Sequence, residues 1–214
     1  TTAIIKNRAS SWNNATDLVT TCDVSSITDM SQMFLNNTTF DQDLSAWDTS
    51  SVENMRSMFS GAAALTEVSL PDTGEVTTMY AMFSNANKLA TVSLPETGKV
   101  IRMDFMFLNM YNNPTALTSV SLPTTGNVTM MIGMFRNLEK LATVSLPETG
   151  KVTNMVAMFY GASSFAQDIR GLDVSAVTNF SSMFSGATAM ATAFGGTSNW
   201  PADDSTPTSA WFRD

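Results

Sequence analysis

Thr91 and Ser93, Ser119 and Ser121, and Thr143 and Ser145 form three Thr/Ser-x-Ser pairs in which two hydroxyls fall on the same side of an extended chain. Stacked at a strand spacing of about 4.8 Å, such pairs make a flat hydroxyl array suited to a repetitive surface such as a polysaccharide, a mineral or ice. Asp43/Ser45, Glu67/Ser69 and Asp168/Arg170 occupy the same register, so charges interrupt its margins, and a soluble sheet face is the plainer reading. Asp41, Asp43 and Asp48 invite a calcium reading, but no Asp-x-Asp-x-Asp-Gly loop accompanies them, which favours a solvated turn. The 16 methionines fall mostly where a core must be, as flexible gap fillers. With no histidine and the single Cys22, the usual zinc and copper ligands and the His- or Cys-based triads are missing. We therefore read the chain as non-enzymatic, with no catalytic, cofactor-binding or metal residues.

What positions these residues is a repeat. An aliphatic residue, a Met or Phe three on, and a Met-Phe pair three further recur seven times. The copies begin with Ile27/Met30/Met33-Phe34, Val52/Met55/Met58-Phe59 and Val76/Met79/Met82-Phe83. They continue through Val100, Val128 and Val152 to Val177/Phe180/Met183-Phe184, with Met-Phe pairs 25, 24, 24, 28, 24 and 25 residues apart. One such unit cannot bury its apolar face alone and must stack on its neighbours, so a fixed period in this range means a solenoid or array.

Within Leu65 to Ala86, Glu67 to Leu70 alternates polar and apolar, the period of a short half-buried strand. Pro71 ends it for want of an N–H, and Asp72-Thr73-Gly74 makes a turn. Val76, Met79, Met82 and Phe83 then lie on one face of an expected short helix, with 3₁₀ character suggested by the spacing of three. Parallel strands are expected at Leu44, Val68, Val92, Val120, Val144 and Ile169, each followed by a helix ending near the Met-Phe pair. The fold class is thus α/β, a right-handed β/α solenoid of about seven coils with short parallel strands and short helices.

Leu-x-x-Val-Ser-Leu-Pro followed by Val-Thr-x-Met-x-x-Met-Phe resembles the BspA-type leucine-rich repeats. The longer form at Phe40-Asp-Gln-Asp43-Leu44-Ser-Ala-Trp47-Asp, continuing to Met58-Phe59, is similar to the 26-residue surface-protein repeat of the DUF285 group. The resemblance spans about residues 18 to 190. It implies a leucine-rich-repeat-like scaffold on secreted or surface-attached proteins with adhesion or interaction roles, and it carries no catalytic residues across.

The ends and the bulk properties complete the reading. Residues 1–26 are expected to form an N-terminal cap, 27–190 one solenoid of seven repeats of 24–28 residues, and 191–214 a C-terminal cap or linker. Cys22 aligns with Trp47 and Leu172, a core column. A net charge of −8 and a pI near 4.4 argue against nucleic acid. No apolar run approaches the roughly 18 residues of a transmembrane helix and no signal peptide is evident, while a start at Thr1 suggests a processed chain or a fragment.

The fourth coil is longer by four residues around Tyr111, where a repeat protein often places a contact. Asn14, Asn36, Asn37, Asn127 and Asn179 begin glycosylation sequons, which fit an extracellular location. Three functions remain open: a protein-interaction or adhesion module at the cell surface, a self-associating subunit of a surface layer or filament, and a binder of a repetitive surface. Their partners are a protein or glycan, or further copies of the chain.

Overall fold

Val68, Val92, Val120 and Val144 each form the middle of a three-residue strand: β1 (Glu67–Ser69), β2 (Thr91–Ser93), β3 (Ser119–Ser121) and β4 (Thr143–Ser145). These assignments come from a computed structural model that describes residues 22–111, 113–203 and 205–213. β1 pairs with β2 in parallel, Val68 opposite Val92, and β3 pairs with β4 in parallel, Val120 opposite Val144. The fold is β/α, with parallel strands and, among the described residues, short helices at the C-terminal end: α1 (Thr188–Phe194) and a 3₁₀ turn at Trp211–Arg213.

A second parallel ladder runs on another side of each coil. Single bridges join Asp29 to Asn54, Asn54 to Thr78, Thr78 to Arg102, Arg102 to Met130, Met130 to Asn154 and Asn154 to Asn179. The Met-Phe segments that follow these bridges are not the expected helices. They are chains of turns whose N–H groups bond alternately within the coil and to the next coil. Met58 N–H reaches the Met55 carbonyl at 3.2 Å and Ser60 N–H the Ser57 carbonyl at 3.2 Å, whereas Ser57 and Phe59 N–H reach the Tyr80 and Met82 carbonyls at 2.9 Å.

Two backbone columns enforce this geometry. Gln32, Ser57, Ala81, Phe105, Gly133, Ala157 and Ser182 all have φ between 51° and 59°. A left-handed residue interrupts the i to i−4 pattern of a helix, at a cost on the order of 1 kcal/mol for a side chain with a Cβ. Two residues past the Met-Phe pair, Asn36, Gly61, Asn85, Asn137, Gly161 and Gly186 are left-handed as well, residue types that tolerate the conformation best. The spacing of three correctly identifies a repeated i to i−3 bond, but alternate donors are diverted to the neighbouring coil.

The expected strands at Leu44 and Ile169 do not form, although both side chains are buried as anticipated. A side chain takes the place of the next strand. Gln167 Oε1 accepts the Val144 N–H at 2.7 Å and its Nε2 donates to the Val144 carbonyl at 2.9 Å. At the other margin, Asp41 Oδ1 accepts from the Thr66 N–H at 2.8 Å and from its hydroxyl at 2.9 Å. Polar side chains at a sheet edge blunt its tendency to recruit another strand.

The interior is made of the methionine and phenylalanine columns. Phe34, Phe59, Phe83, Phe107, Phe135, Phe159 and Phe184 stack in succession with centroids 5.3, 5.6, 5.4, 5.9, 5.4 and 6.0 Å apart. Phe40 and Phe165 add rings at 3.9 and 4.2 Å from Phe34 and Phe159. Buried threonines bind coil to coil, as where the Thr149 hydroxyl donates to the Asp173 carbonyl at 2.8 Å and the Thr97 hydroxyl to that of Thr124. Cys22 is half-buried against this core rather than enclosed by it.

Candidate binding surfaces

The strand face carries the hydroxyl array in two parts. Ser119 lies opposite Thr143 and Ser121 opposite Ser145, so four exposed hydroxyl residues form one patch across β3 and β4. Thr91 and Ser93 are also exposed, but their partners are Glu67 and Ser69 on β1. β2 and β3 do not pair, and the longer fourth coil lies between them, so the three pairs do not make one continuous array. Among the described residues none of these six hydroxyls has an intramolecular hydrogen bond, and each is left to solvent or a ligand.

Charge borders the strand face. A groove of about 240 Å³ beside β1 and β2 is lined by Asp43, Glu67, Ser69, Thr91 and Ser93. Asp43 is held below the usual carboxylate range by the Ser45 backbone N–H and hydroxyl. Asp168, gripped by Arg170 through its side chain and backbone N–H, is held down to about 2. The three carboxylates considered for calcium hold different groups. Asp41 takes Thr66, Asp43 takes Ser45 and Asp48 takes Ser50. Among the described residues no three His, Cys, Asp or Glu side chains gather where they could hold a metal ion.

The Met-Phe turn face holds a second candidate surface. Met110 and Tyr111, at the start of the insertion, are 59% and 69% exposed, and Leu35 is 39% exposed. They border a groove of about 570 Å³ whose walls include Tyr80, Phe105, Leu108 and Arg136. The insertion is tied down beside it. Met110 N–H donates to Asn85 Oδ1 at 2.7 Å, and Asn109 Nδ2 donates to the Asn113 carbonyl at 2.6 Å. Tyr80 meets Phe105 edge-on at 5.7 Å, and the guanidinium of Arg56 lies 4.3 Å from the Tyr80 ring centre. Arg136 lies 4.5 Å from the Tyr160 ring centre in the same manner.

Sequence reasoning located Tyr111 but missed Arg56, Tyr80, Phe105 and Arg136, because it assigned their segments to helices. The signal was present in the residues two past each Met-Phe pair, Asn or Gly in all seven copies. That pattern marks a left-handed turn and so a different outer face.

The sequons are dispersed. Asn36 is exposed, Asn37 is buried, and Asn14 lies outside the described residues. Asn127 donates from Nδ2 to the Gly98 carbonyl at 2.5 Å and accepts from Lys151 Nζ at 2.6 Å. Asn179 is exposed, and its Oδ1 accepts from the Ser181 N–H at 2.9 Å.

No curated relative matches the chain. Among solved structures it is similar to a leucine-rich repeat protein from Eubacterium ventriosum at 20% identity and a TM-score of 0.49, over 64% of this chain and 35% of that one. This chain thus spans about a third of that protein's length. A leucine-rich repeat protein from Bacteroides ovatus gives 13% identity and a TM-score of 0.19, over 63% of this chain and 74% of that one. The family model described as "Mycoplasma protein of unknown function, DUF285" matches residues 5–120 and again 108–214, and the chain belongs to that family.

Proposed function

We propose that this chain is a non-enzymatic, extracellular or cell-surface repeat module that presents a binding surface to a protein or glycan partner. Its body is a right-handed solenoid of seven coils over residues 27–190, followed by a C-terminal cap at 191–214; the N-terminal cap expected at 1–26 falls almost wholly outside the described residues. The column of bridges from Asp29 to Asn179 supports the coil count, since its steps have the period of the motif. The handedness follows from the strong preference of parallel crossovers.

The C-terminal cap is supported by Trp200 and Trp211, whose rings lie 5.6 and 5.5 Å from that of Phe184. It is supported also by Ser205, whose carbonyl accepts the Phe184 N–H at 2.8 Å as a further coil would.

The observation that carries the interaction reading is the exposed pair Met110 and Tyr111 beside the 570 Å³ groove. Large apolar side chains grouped at a concave surface mark contact sites more often than chance exposure does. The hydroxyl patch of Ser119, Ser121, Thr143 and Ser145 favours a second reading, adsorption to a repetitive surface, because those hydroxyls have no internal partner.

Screening purified proteins and glycans beside sedimentation separates these readings. Two folded variants are compared with the parent, Tyr111→Ala and a quadruple Lys variant at Thr91, Ser93, Thr143 and Ser145. Loss of a partner with Tyr111→Ala alone supports the interaction module. Loss with the quadruple variant alone supports the surface binder, and concentration-dependent association abolished by either supports a structural subunit. Survival of every activity in both variants overturns all three placements.

A further inference from the structure

Charge distribution narrows what the turn-face groove accepts. The chain carries a net charge of −8, and its other large grooves are lined by carboxylates: Asp43 and Glu67 in one, Asp168 in another, and Asp72, Glu75 and Glu96 in a third. The groove at Tyr111 has no carboxylate in its lining and includes the Arg136 guanidinium. Asp104 is near it in sequence, but its side chain is fully buried and paired with Arg102 at 2.8 Å. Arg56 and Arg136 form no ion pair among the described residues. Each instead stands over a tyrosine ring, an arrangement that orients a guanidinium while leaving its N–H donors available.

The lining between is mixed: Asn36, Ser60, Ser84, Asn85 and Asn137 contribute polar groups beside the apolar side chains, and Arg56 stands just outside it against the Tyr80 ring. Tyr80 and Phe105 form part of the wall, Leu108 adds aliphatic surface, and Met110 and Tyr111 project beside it. A sugar polymer would leave Leu108 and Met110 facing hydroxyls. A carboxylate-bearing peptide satisfies both halves of the surface, since guanidinium–carboxylate pairs are planar and directional and an apolar side chain fills the interval.

We infer that this groove binds a short acidic segment of a protein partner, with carboxylates on Arg136 and Arg56 and an apolar side chain against Leu108, Met110 and Tyr111. This rests on the interaction reading above and names the partner's chemistry. The selectivity is electrostatic in origin: the protein as a whole repels acidic chains, and this groove alone among the large ones described has a cation without an ion-pair partner, Arg136, and no opposing carboxylate, with Arg56 beside its Tyr80 wall.

The test uses the whole chain and a synthetic pentapeptide library with two acidic positions flanking one apolar position, read by fluorescence anisotropy. The companion library replaces the acidic residues with Lys. Tetragalacturonate serves as the acidic sugar probe, and sedimentation of the protein alone reports on a second copy as occupant.

The expected result is saturable binding from the acidic library only, weakened about tenfold by Arg136→Gln and by Arg56→Gln and further in the double variant. Binding should also weaken as salt rises. Lys99→Gln, whose residue pairs with Glu75 elsewhere, should leave it unchanged.

No binder in the acidic library, equal binding by the Lys library, binding of tetragalacturonate alone, or self-association lost in the double variant would each overturn the inference. If the acidic peptides fail while a protein from the broader screen still requires Tyr111, the interaction reading stands and only this assignment falls. If both screens are empty, both fall.

Discussion

Gln167 grips both backbone groups of Val144, its Oε1 accepting the N–H at 2.7 Å and its Nε2 donating to the carbonyl at 2.9 Å. One side-chain amide thus does for the edge of β4 what another strand would do. Gln167→Leu should cost about 1–3 kcal/mol in urea unfolding, because the Val144 groups lose their partners. It should also promote association through the opened edge. A variant with unchanged stability and unchanged sedimentation would show that solvent serves Val144 equally well.

Phe83 has a stacked neighbour on either side, Phe59 at 5.6 Å and Phe107 at 5.4 Å. Phe83→Ala should therefore cost about 3–5 kcal/mol, since the ladder leaves a cavity rather than an exposed stub. Ser93→Ala on the strand face should stay within roughly 0.5 kcal/mol. Similar losses for the two in denaturant titration would mean that inner and outer faces had been exchanged.

Gly161 and Gly171 offer a paired test of the turn column. Gly161 has φ of 69°, and a Cβ there would lie 2.4 Å from Asn137 Oδ1. A Cβ on Gly171 would meet nothing within 4 Å. Gly161→Ala should lower the melting temperature by several degrees, about 1–2 kcal/mol of strain plus the displaced amide. Gly171→Ala should be neutral or slightly stabilising. Reversal of that order in a thermal scan would contradict the turn geometry.

Acid should weaken the fold through Asp168 in a definite window. Its folded pKa is held at about 2 against 3.8, chiefly by the Arg170 side-chain hydrogen bond. A depressed carboxylate pKa contributes stability that is present above the unfolded value and is lost as pH falls through the folded one. The loss should lie between about pH 4 and pH 2, and it should be small because the pair is half exposed. Asp168→Asn should flatten the stability curve across that window. An unchanged slope from the variant would show that Arg170 does not hold this carboxylate in solution.

The period of the repeat and the identity of the buried columns were legible in the residues themselves. Met55, Met58 and Phe59, with their counterparts in the other repeats, had to face inward because they are among the most apolar residues of each unit, and they are buried except for Phe180, which is half-buried. The strands at Val68, Val92, Val120 and Val144 followed from alternation and a terminating proline. Leu44 and Ile169 show the limit of that reasoning. Their side chains point inward as the pattern requires, yet their backbones make no strand, because Asp41 and Gln167 take the bonds that a strand would have made.

The same limit explains the turn face. A spacing of three fits a helix and a chain of turns equally well, and the choice depends on where alternate N–H groups find acceptors. For Ser57 that acceptor is the Tyr80 carbonyl, 23 residues away in sequence and 2.9 Å away in space. Burial is a property of each side chain and its immediate pattern, so the sequence by itself determined the core. Backbone partnership between coils, the groove it creates at Tyr111, and the guanidiniums it brings to the tyrosine rings depend on how successive coils stack. Those only the tertiary structure decided.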